Sequence, residues 1–172
     1  MATQDYKIYN IDVFWDDSYE SLDYIHEQFN DTVSLDQWRR LGYSERITGM
    51  MCDMRSAQPV WNDRFVKMFA DQGWQDIGTS YYRMDTGTVL PTHSDLYKKY
   101  IDIFDLYGQE NTIRRAVVFL RDWRPGHYAE LAGKGIVNWS AGMTLEWSYD
   151  TPHAAANIGV EPRYTLQITG HI

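Results

Sequence analysis

Along the first 73 residues apolar side chains recur at intervals of three and four, and beyond Gly73 the pattern shortens to runs broken by glycine and proline. Asp17 with Glu20 three residues on reads as a capping box, followed by Leu22, Ile25 and Phe29 on one helical face. Ser34 with Gln37 repeats the start signal ahead of Leu35, Trp38 and Leu41, and Gly42 supplies a stop. A third stripe, Trp61, Phe65, Met68 and Phe69, ends near Gly73. These spacings predict a helical layer over residues 1–73. From 74 to 172 the texture is that of a β-sandwich or barrel, with strands expected near 76–84, 88–93, 113–121, 127–131, 142–148, 153–158 and 163–169. The segment LYKKYIDIFDLYGQENT, residues 96–112, predicts a loop holding a short helix, because Tyr97, Tyr100, Ile101 and Phe104 keep helical spacing. No repeat, low-complexity tract or Ser/Gly-rich linker divides the halves, so 1–172 is expected to be a single domain.

Composition narrows the range of functions. A chain of 172 residues is long enough to bury a sizeable core. Sixteen Lys and Arg against 24 Asp and Glu leave a formal charge of −8, and no basic run forms a phosphate-binding stripe. Nucleic acid and anionic membrane are therefore not expected as partners. Cys52 stands alone, which excludes an intrachain disulfide framework and fits a reducing compartment. The opening MATQDYKIYN has neither a basic n-region nor an apolar h-region, and the expectation is a cytoplasmic protein. Aromatic residues make up 15% of the chain, most of them expected in the core and a minority lining a pocket.

The candidate chemistry begins at PTHSDLY, residues 91–97. Residues two apart in a strand share a face, so the His93 imidazole and the Asp95 carboxylate converge. Alone, such a pair is as readily a surface loop. A third candidate ligand, His153, follows a Thr-Pro corner that fixes the backbone at the head of a strand. Two imidazoles and one carboxylate on a metal leave other coordination positions open, the arrangement of non-haem Fe(II) oxygenases. Arg163 and Thr165 share a strand face with Gln167 and Thr169, opposite Tyr164, Leu166 and Ile168. Inside a barrel that polar face needs an anionic occupant; on the surface it needs none.

Taken together, His93-Ser-Asp95, then His153, then Arg163-Tyr-Thr165 resembles the Fe(II)/2-oxoglutarate-dependent oxygenases, over about residues 76–170. In that family a His-x-Asp…His triad binds iron. An arginine about ten residues past the distal histidine, often in Arg-x-Ser, grips the far carboxylate of 2-oxoglutarate. Here threonine keeps the hydroxyl. YYRMDTGTVLPTHSD is similar to the lead-in to His-x-Asp in the prolyl hydroxylase-like branch, where an upstream tyrosine contacts the cosubstrate; this implies Tyr82, with Tyr81 beside it. That branch commonly has lysine where this chain has Arg163. RRAVVFLRDWRPGHYAEL resembles the middle strands, and NWSAGMTLEW the glycine turn before the distal histidine, also seen in aspartyl hydroxylase-like members. The resemblance implies an α+β, mainly β fold: a double-stranded β-helix, or jelly-roll and cupin-like barrel, with N-terminal helices packed on it. It implies Fe(II) on His93, Asp95 and His153, with 2-oxoglutarate and O2 as cosubstrates. The expected reaction is hydroxylation of a C–H bond in an amino acid, peptide or other small metabolite.

Other positions follow from strand parity. Asn157 shares the parity of His153 through the small Ala155, and is expected to hydrogen-bond the cosubstrate or a neighbouring strand. Tyr81, His127 and Trp139 are candidate substrate contacts, His127 from a turn after Arg-Pro-Gly and Trp139 as a floor. Two rivals remain open at this point. A cupin-like metal enzyme that does not use 2-oxoglutarate keeps the triad without needing Arg163, and a non-catalytic barrel binding protein needs no redox metal.

Overall fold

In the computed structural model, residues 6–27, 29, 31–43, 47–52 and 58–172 are described. Strand β1 (Tyr6–Asn10) is followed by a 3-10 turn (Asp17–Ser21), β2 (Tyr24–His26), helix α1 (Thr32–Arg40), β3 (Met50–Cys52) and helix α2 (Asn62–Ala70). Then come β4 (Gln75–Met84), β5 (Thr88–His93), helix α3 (Lys98–Phe104), a second 3-10 turn (Glu110–Thr112) and β6 (Ile113–Phe119). The chain ends with β7 (His127–Leu131), β8 (Lys134–Ile136), β9 (Met143–Ser148), β10 (His153–Asn157) and β11 (Arg163–His171).

The strands form a seven-stranded sheet in the order β1-β9-β6-β11-β4-β3-β2 and a four-stranded sheet in the order β5-β10-β7-β8. Strand pairs in both sheets are antiparallel. From β4 onward the chain passes back and forth between the two sheets, which is the double-stranded β-helix, a two-sheet jelly roll. Among the described residues, no helix is long and apolar enough to cross a membrane.

Which face of β11 points inward is decided by what covers the other one. Tyr164, Leu166 and Ile168 are buried with Ala116 and Val118 of β6 beneath α2, against Phe65, Phe69 and Trp61. Each large apolar side chain enclosed there contributes about 1.5–3 kcal/mol. Because the outer face of the large sheet holds this core, Arg163, Thr165, Gln167 and Thr169 turn into the space between the sheets. Both faces of β11 are covered, and the polar one is internal.

The N-terminal part departs from a purely helical layer. Its strands β1, β2 and β3 all join the larger sheet, alongside α1 and α2. The helix expected from Asp17 through Phe29 is a 3-10 turn followed by β2. Asp16 is the cap, accepting from the Ser18 amide, and Tyr24, Ile25 and His26 pair with Cys52, Met51 and Met50. Pairing with β3 outweighs a local periodicity that spans barely three turns. Helix α1 begins earlier than Ser34, because Asp31 accepts from the Val33 and Ser34 amides. Helix α2 stops as expected before Gly73, and α3 is the short helix expected within 96–112. Strand β8 was not foreseen: three residues carry too little pattern to read.

Candidate active site

The triad sits at the mouth of the barrel, where a strand end from the small sheet meets a strand start. His93 closes β5 and His153 opens β10, and the two are cross-strand partners with ring centroids 4.3 Å apart. Ligand atoms of His93, Asp95 and His153 all lie within 4.8 Å of one another.

The orientation of each imidazole is set from behind. His93 Nδ1 lies 2.8 Å from the Pro91 carbonyl, and His153 Nδ1 lies 3.0 Å from the Thr151 carbonyl. A carbonyl only accepts, so each neutral ring carries its proton on Nδ1 and turns the Nε2 lone pair forward. Those Nε2 atoms stand 3.5 Å (His93) and 3.7 Å (His153) from the oxygens of Asp95. Burial pushes the His153 imidazole down to about 4, against the opposing pull of Asp95, so the ring is neutral at pH 7. Two lone pairs aimed at a carboxylate repel it unless a cation lies between them. The donor set therefore fits a metal ion, with backbone carbonyls orienting the histidines as is usual for such ligands. Donors each about 2.1 Å from one ion stand roughly 3.0–3.4 Å apart, and the three ligand atoms here are gathered within 4.8 Å of one another.

Aromatic rings brace both histidines. Phe29 and Trp38, the latter from α1, meet His93 edge-on at 4.9 and 5.8 Å, and Trp147 of β9 packs 4.8 Å from His153. Asp95 is braced by charge. Burial alone would raise its carboxyl, but the Arg115 guanidinium, with Nη1 3.2 Å from Oδ2, leads the interactions that hold it below the usual carboxylate range.

The triad opens into a cavity of about 700 Å³ that also contains the inward face of β11. At its far end Arg163 is 6% exposed. Its Nη1 donates to the Tyr128 carbonyl at 2.8 Å, while its buried Nε has no partner. Among the described residues no carboxylate pairs with it. Burial pushes the guanidinium down to about 10, which leaves it cationic at neutral pH. Thr165 lies two residues on, and Tyr82 is its cross-strand partner on β4. The Tyr82 hydroxyl accepts from the Gly49 amide. Burial raises this phenol, opposed by the Gly49 amide and the Arg163 charge. Arg163, Thr165 and Tyr82 thus share one cavity with the triad.

Four sequence candidates lie elsewhere. Asn157 is fully buried: its Nδ2 donates to the Met84 and Glu161 carbonyls at 2.9 and 2.8 Å, and its Oδ1 accepts from the Gly159 amide at 3.0 Å. It pins the β10–β11 turn to the end of β4 and does not line the cavity. Tyr81 points to the opposite face of β4 from Tyr82 and donates to Asn62 Oδ1 at 3.0 Å within the core beneath α2. His127 holds the Glu161 carbonyl at 2.9 Å and stacks on Trp139, which stacks on Phe119. Tyr81, His127 and Trp139 are core residues rather than cavity walls.

Sequence reasoning missed Arg115, Tyr97 and the rings bracing the histidines. Arg115 shares strand parity with Val117 and Phe119, which also line the cavity. Its neighbour Arg114 masked that signal, because a tandem pair gives no parity until an apolar residue anchors it.

No protein-family model matches the chain, and no curated protein matches it in sequence. Among solved structures, a prolyl-4-hydroxylase of Pseudomonas putida superposes with a TM-score of 0.62 at 16% identity, covering 99% of this chain and 94% of that one. The plu4264 protein of Photorhabdus luminescens aligns at a TM-score of 0.43 and 7% identity over 84% of this chain and 85% of its own. A predicted oxalate decarboxylase of Thermotoga maritima gives 0.42 at 10% identity over 72% and 80%. The chain thus has the double-stranded β-helix fold and, within it, a His-Asp-His triad.

Proposed function

We propose that the protein is an Fe(II)- and 2-oxoglutarate-dependent oxygenase that hydroxylates a C–H bond of an amino acid, a peptide or another small metabolite. The observation that carries this reading is Arg163: a buried cation without a carboxylate partner among the described residues, in the same cavity as the triad. A buried charge left unpaired is costly and is retained where a ligand supplies the counter-charge. A metal barrel that did not bind an anion would have no use for it. The fold shared with a prolyl-4-hydroxylase supports the same reading.

His93, Asp95 and His153 would hold the iron. Bound there with 2-oxoglutarate and O2, it would supply oxidative decarboxylation to succinate and CO2, coupled to transfer of one oxygen atom into a C–H bond. Arg163 offers a planar fork to the far carboxylate of the cosubstrate, and the Thr165 and Tyr82 hydroxyls add donors beside it. Val117, Phe119, Leu145, Ala129 and Ala155 line the cavity with apolar surface, which excludes water and strengthens every charge interaction within.

Removing the guanidinium forfeits about 1.5–3 kcal/mol of binding, roughly 10- to 150-fold in 2-oxoglutarate affinity. Arg163→Lys keeps the charge and loses the fork, so it falls between wild type and Arg163→Gln. Iron affinity without cosubstrate stays unchanged in both. Titration of the Fe(II) protein with 2-oxoglutarate under anaerobic conditions, followed by succinate release on adding O2, reads these effects. Wild-type affinity for 2-oxoglutarate in Arg163→Gln sinks the assignment. Iron binding without any 2-oxoglutarate dependence favours the cupin-like rival.

A further inference from the structure

Arg163 is not the only cation in the cavity. Arg115 enters from β6, and its Nη1 donates to Gln167 Oε1 at 2.8 Å and reaches Asp95 Oδ2 at 3.2 Å. Its Nε is buried without a partner, and so is the hydroxyl of Tyr97. The Tyr97 ring lies under the Arg115 guanidinium at 4.9 Å. Tyr97 holds this place at a backbone φ of 49°, a left-handed conformation unusual for a bulky residue. Strain kept at a cavity wall is the kind that ligand sites retain. Asp95 faces both of these donors, Arg115 and Tyr97; with its carboxylate given to a metal, they are left to an acceptor entering from the cavity.

We infer that Arg115 and Tyr97, with Gln167, form a second carboxylate-binding subsite beside the metal centre, and that the oxidised substrate is a small molecule or chain end bearing a free carboxylate. The inference rests on the proposed function, in which the metal and Arg163 take the two ends of the cosubstrate. Gln167 lies four residues along β11 from Arg163, roughly 13 Å away, so the subsite and the Arg163 end are separate. The electrostatics of the wall agree. Lys98 and Lys99 also line this cavity, although the chain carries a net charge of −8. Of the wall's other acids, Asp31 caps α1 and Glu130 accepts the Tyr128 hydroxyl, while Glu27 is exposed at the rim.

A free amino acid and the C-terminus of a peptide present the same group, and the test separates them. The protein is loaded with Zn(II), which occupies the site without redox chemistry, and saturated with 2-oxoglutarate. The twenty L-amino acids and their carboxamides are then titrated by ligand-observed NMR, beside alanine-based tripeptides with free and amidated C-termini. At least one acid is expected to bind tenfold or more tightly than its amide, and that preference disappears in Arg115→Gln. Binding of free amino acids identifies a small metabolite as the source, and binding only of free-ended tripeptides identifies a chain end. Equal binding of acids and amides, or no binding of any acid, overturns the inference without needing a variant. Arg115→Lys retains the cation beside Asp95, and its 2-oxoglutarate affinity is expected within threefold of wild type. If it falls as far as in Arg163→Lys, Arg115 belongs to the cosubstrate and the substrate subsite is overturned. Failure of wild type to bind 2-oxoglutarate is a separate result that sinks the proposed function, since the acid and amide comparison can also be read without it.

Discussion

Replacing Arg163 with methionine should make the empty protein more stable and the cosubstrate-loaded protein less so. A guanidinium pushed from its ordinary 12.5 to about 10 by burial is about 3 kcal/mol less favourable as a cation inside the barrel than in water. Methionine has similar length and no charge to desolvate. It also abandons the hydrogen bond to the Tyr128 carbonyl, and that loss takes back about 1–2 kcal/mol. A net gain of about 1–2 kcal/mol remains, within the range seen when buried ions are replaced by apolar side chains. For a chain of this size that raises Tm by roughly 2–8 °C. The penalty is present in full at every pH below about 10 and relieved only toward 12.5, so measurements between pH 6 and 9 read it undiminished. Thermal unfolding of the Zn(II)-loaded proteins is followed by circular dichroism, with and without 2-oxoglutarate at 100 times the wild-type Kd. Wild type gains about 2.7 kcal/mol from the ligand, and Arg163→Met, binding roughly 10- to 150-fold more weakly, gains about 0.3–1.4 kcal/mol, so the variant's advantage shrinks or reverses. A variant less stable than wild type by more than about 1 kcal/mol without ligand refutes the reasoning: the guanidinium would then already be satisfied. A variant stabilised by 2-oxoglutarate as much as wild type refutes the role of the residue.

Three further outcomes follow from the same geometry. Asn157→Ala leaves the Met84 and Glu161 carbonyls and the Gly159 amide without their partner. It should lose about 2–4 kcal/mol in urea unfolding, with 2-oxoglutarate affinity of the folded protein unchanged; a selective affinity loss would return Asn157 to the cosubstrate. His153→Ala should keep its far-ultraviolet circular dichroism while Zn(II) affinity drops at least tenfold by competition with a chelator, and unaltered affinity would remove His153 from the ligand set. Burial holds the His127 imidazole below its ordinary value, so below about pH 6.5 the unfolded chain takes up a proton that the folded one refuses, and stability falls with pH. His127→Gln should therefore lose less stability than wild type between pH 7.5 and 5.5, and equal losses would contradict the buried neutral ring.

The convergence of His93, Asp95 and His153 was legible because three local signals agree: a two-residue spacing at a strand end, a proline corner before His153, and two residue types that share one chemistry. Arg163 and Thr165 were legible only as a parity, since alternation says which side chains share a face and not which face is inside. The core beneath α2 settles that, and it is assembled from residues far apart in the chain. Parity also says nothing about depth. Asn157 shares the parity of His153, but it lies at the turn end of β10, where the Met84 and Glu161 carbonyls reach its amide first. Tyr81 and Tyr82 are adjacent, so one of them had to face the core. The three-residue strands β2, β3 and β8 are too short to carry a period, and their pairing exists only once the neighbouring strands are in place.

Those short strands bear on the chemistry more than their length implies. Strand β3 pairs Met50 and Met51 with Arg83 and Tyr82, extending the large sheet beyond β4. That pairing delivers Gly49 to the Tyr82 ring, where a Cβ would stand 2.3 Å from Tyr82 Cε1 and 2.6 Å from the Arg83 carbonyl oxygen. Only glycine fits, and through this contact its amide donates to the Tyr82 hydroxyl. The phenol oxygen is thereby used as an acceptor, and its proton is what Tyr82 has left to donate. At the other end of the cavity α1 brings Trp38 against His93, fixing a ring whose Nδ1 is already held by Pro91. The barrel strands place His93, His153 and the guanidinium, with Asp95 just beyond the end of β5. The chain before them fixes the rotation of one imidazole and the polarity of one phenol, two properties that strand geometry alone leaves free. A barrel deprived of that segment would lose this preorganisation of the candidate site.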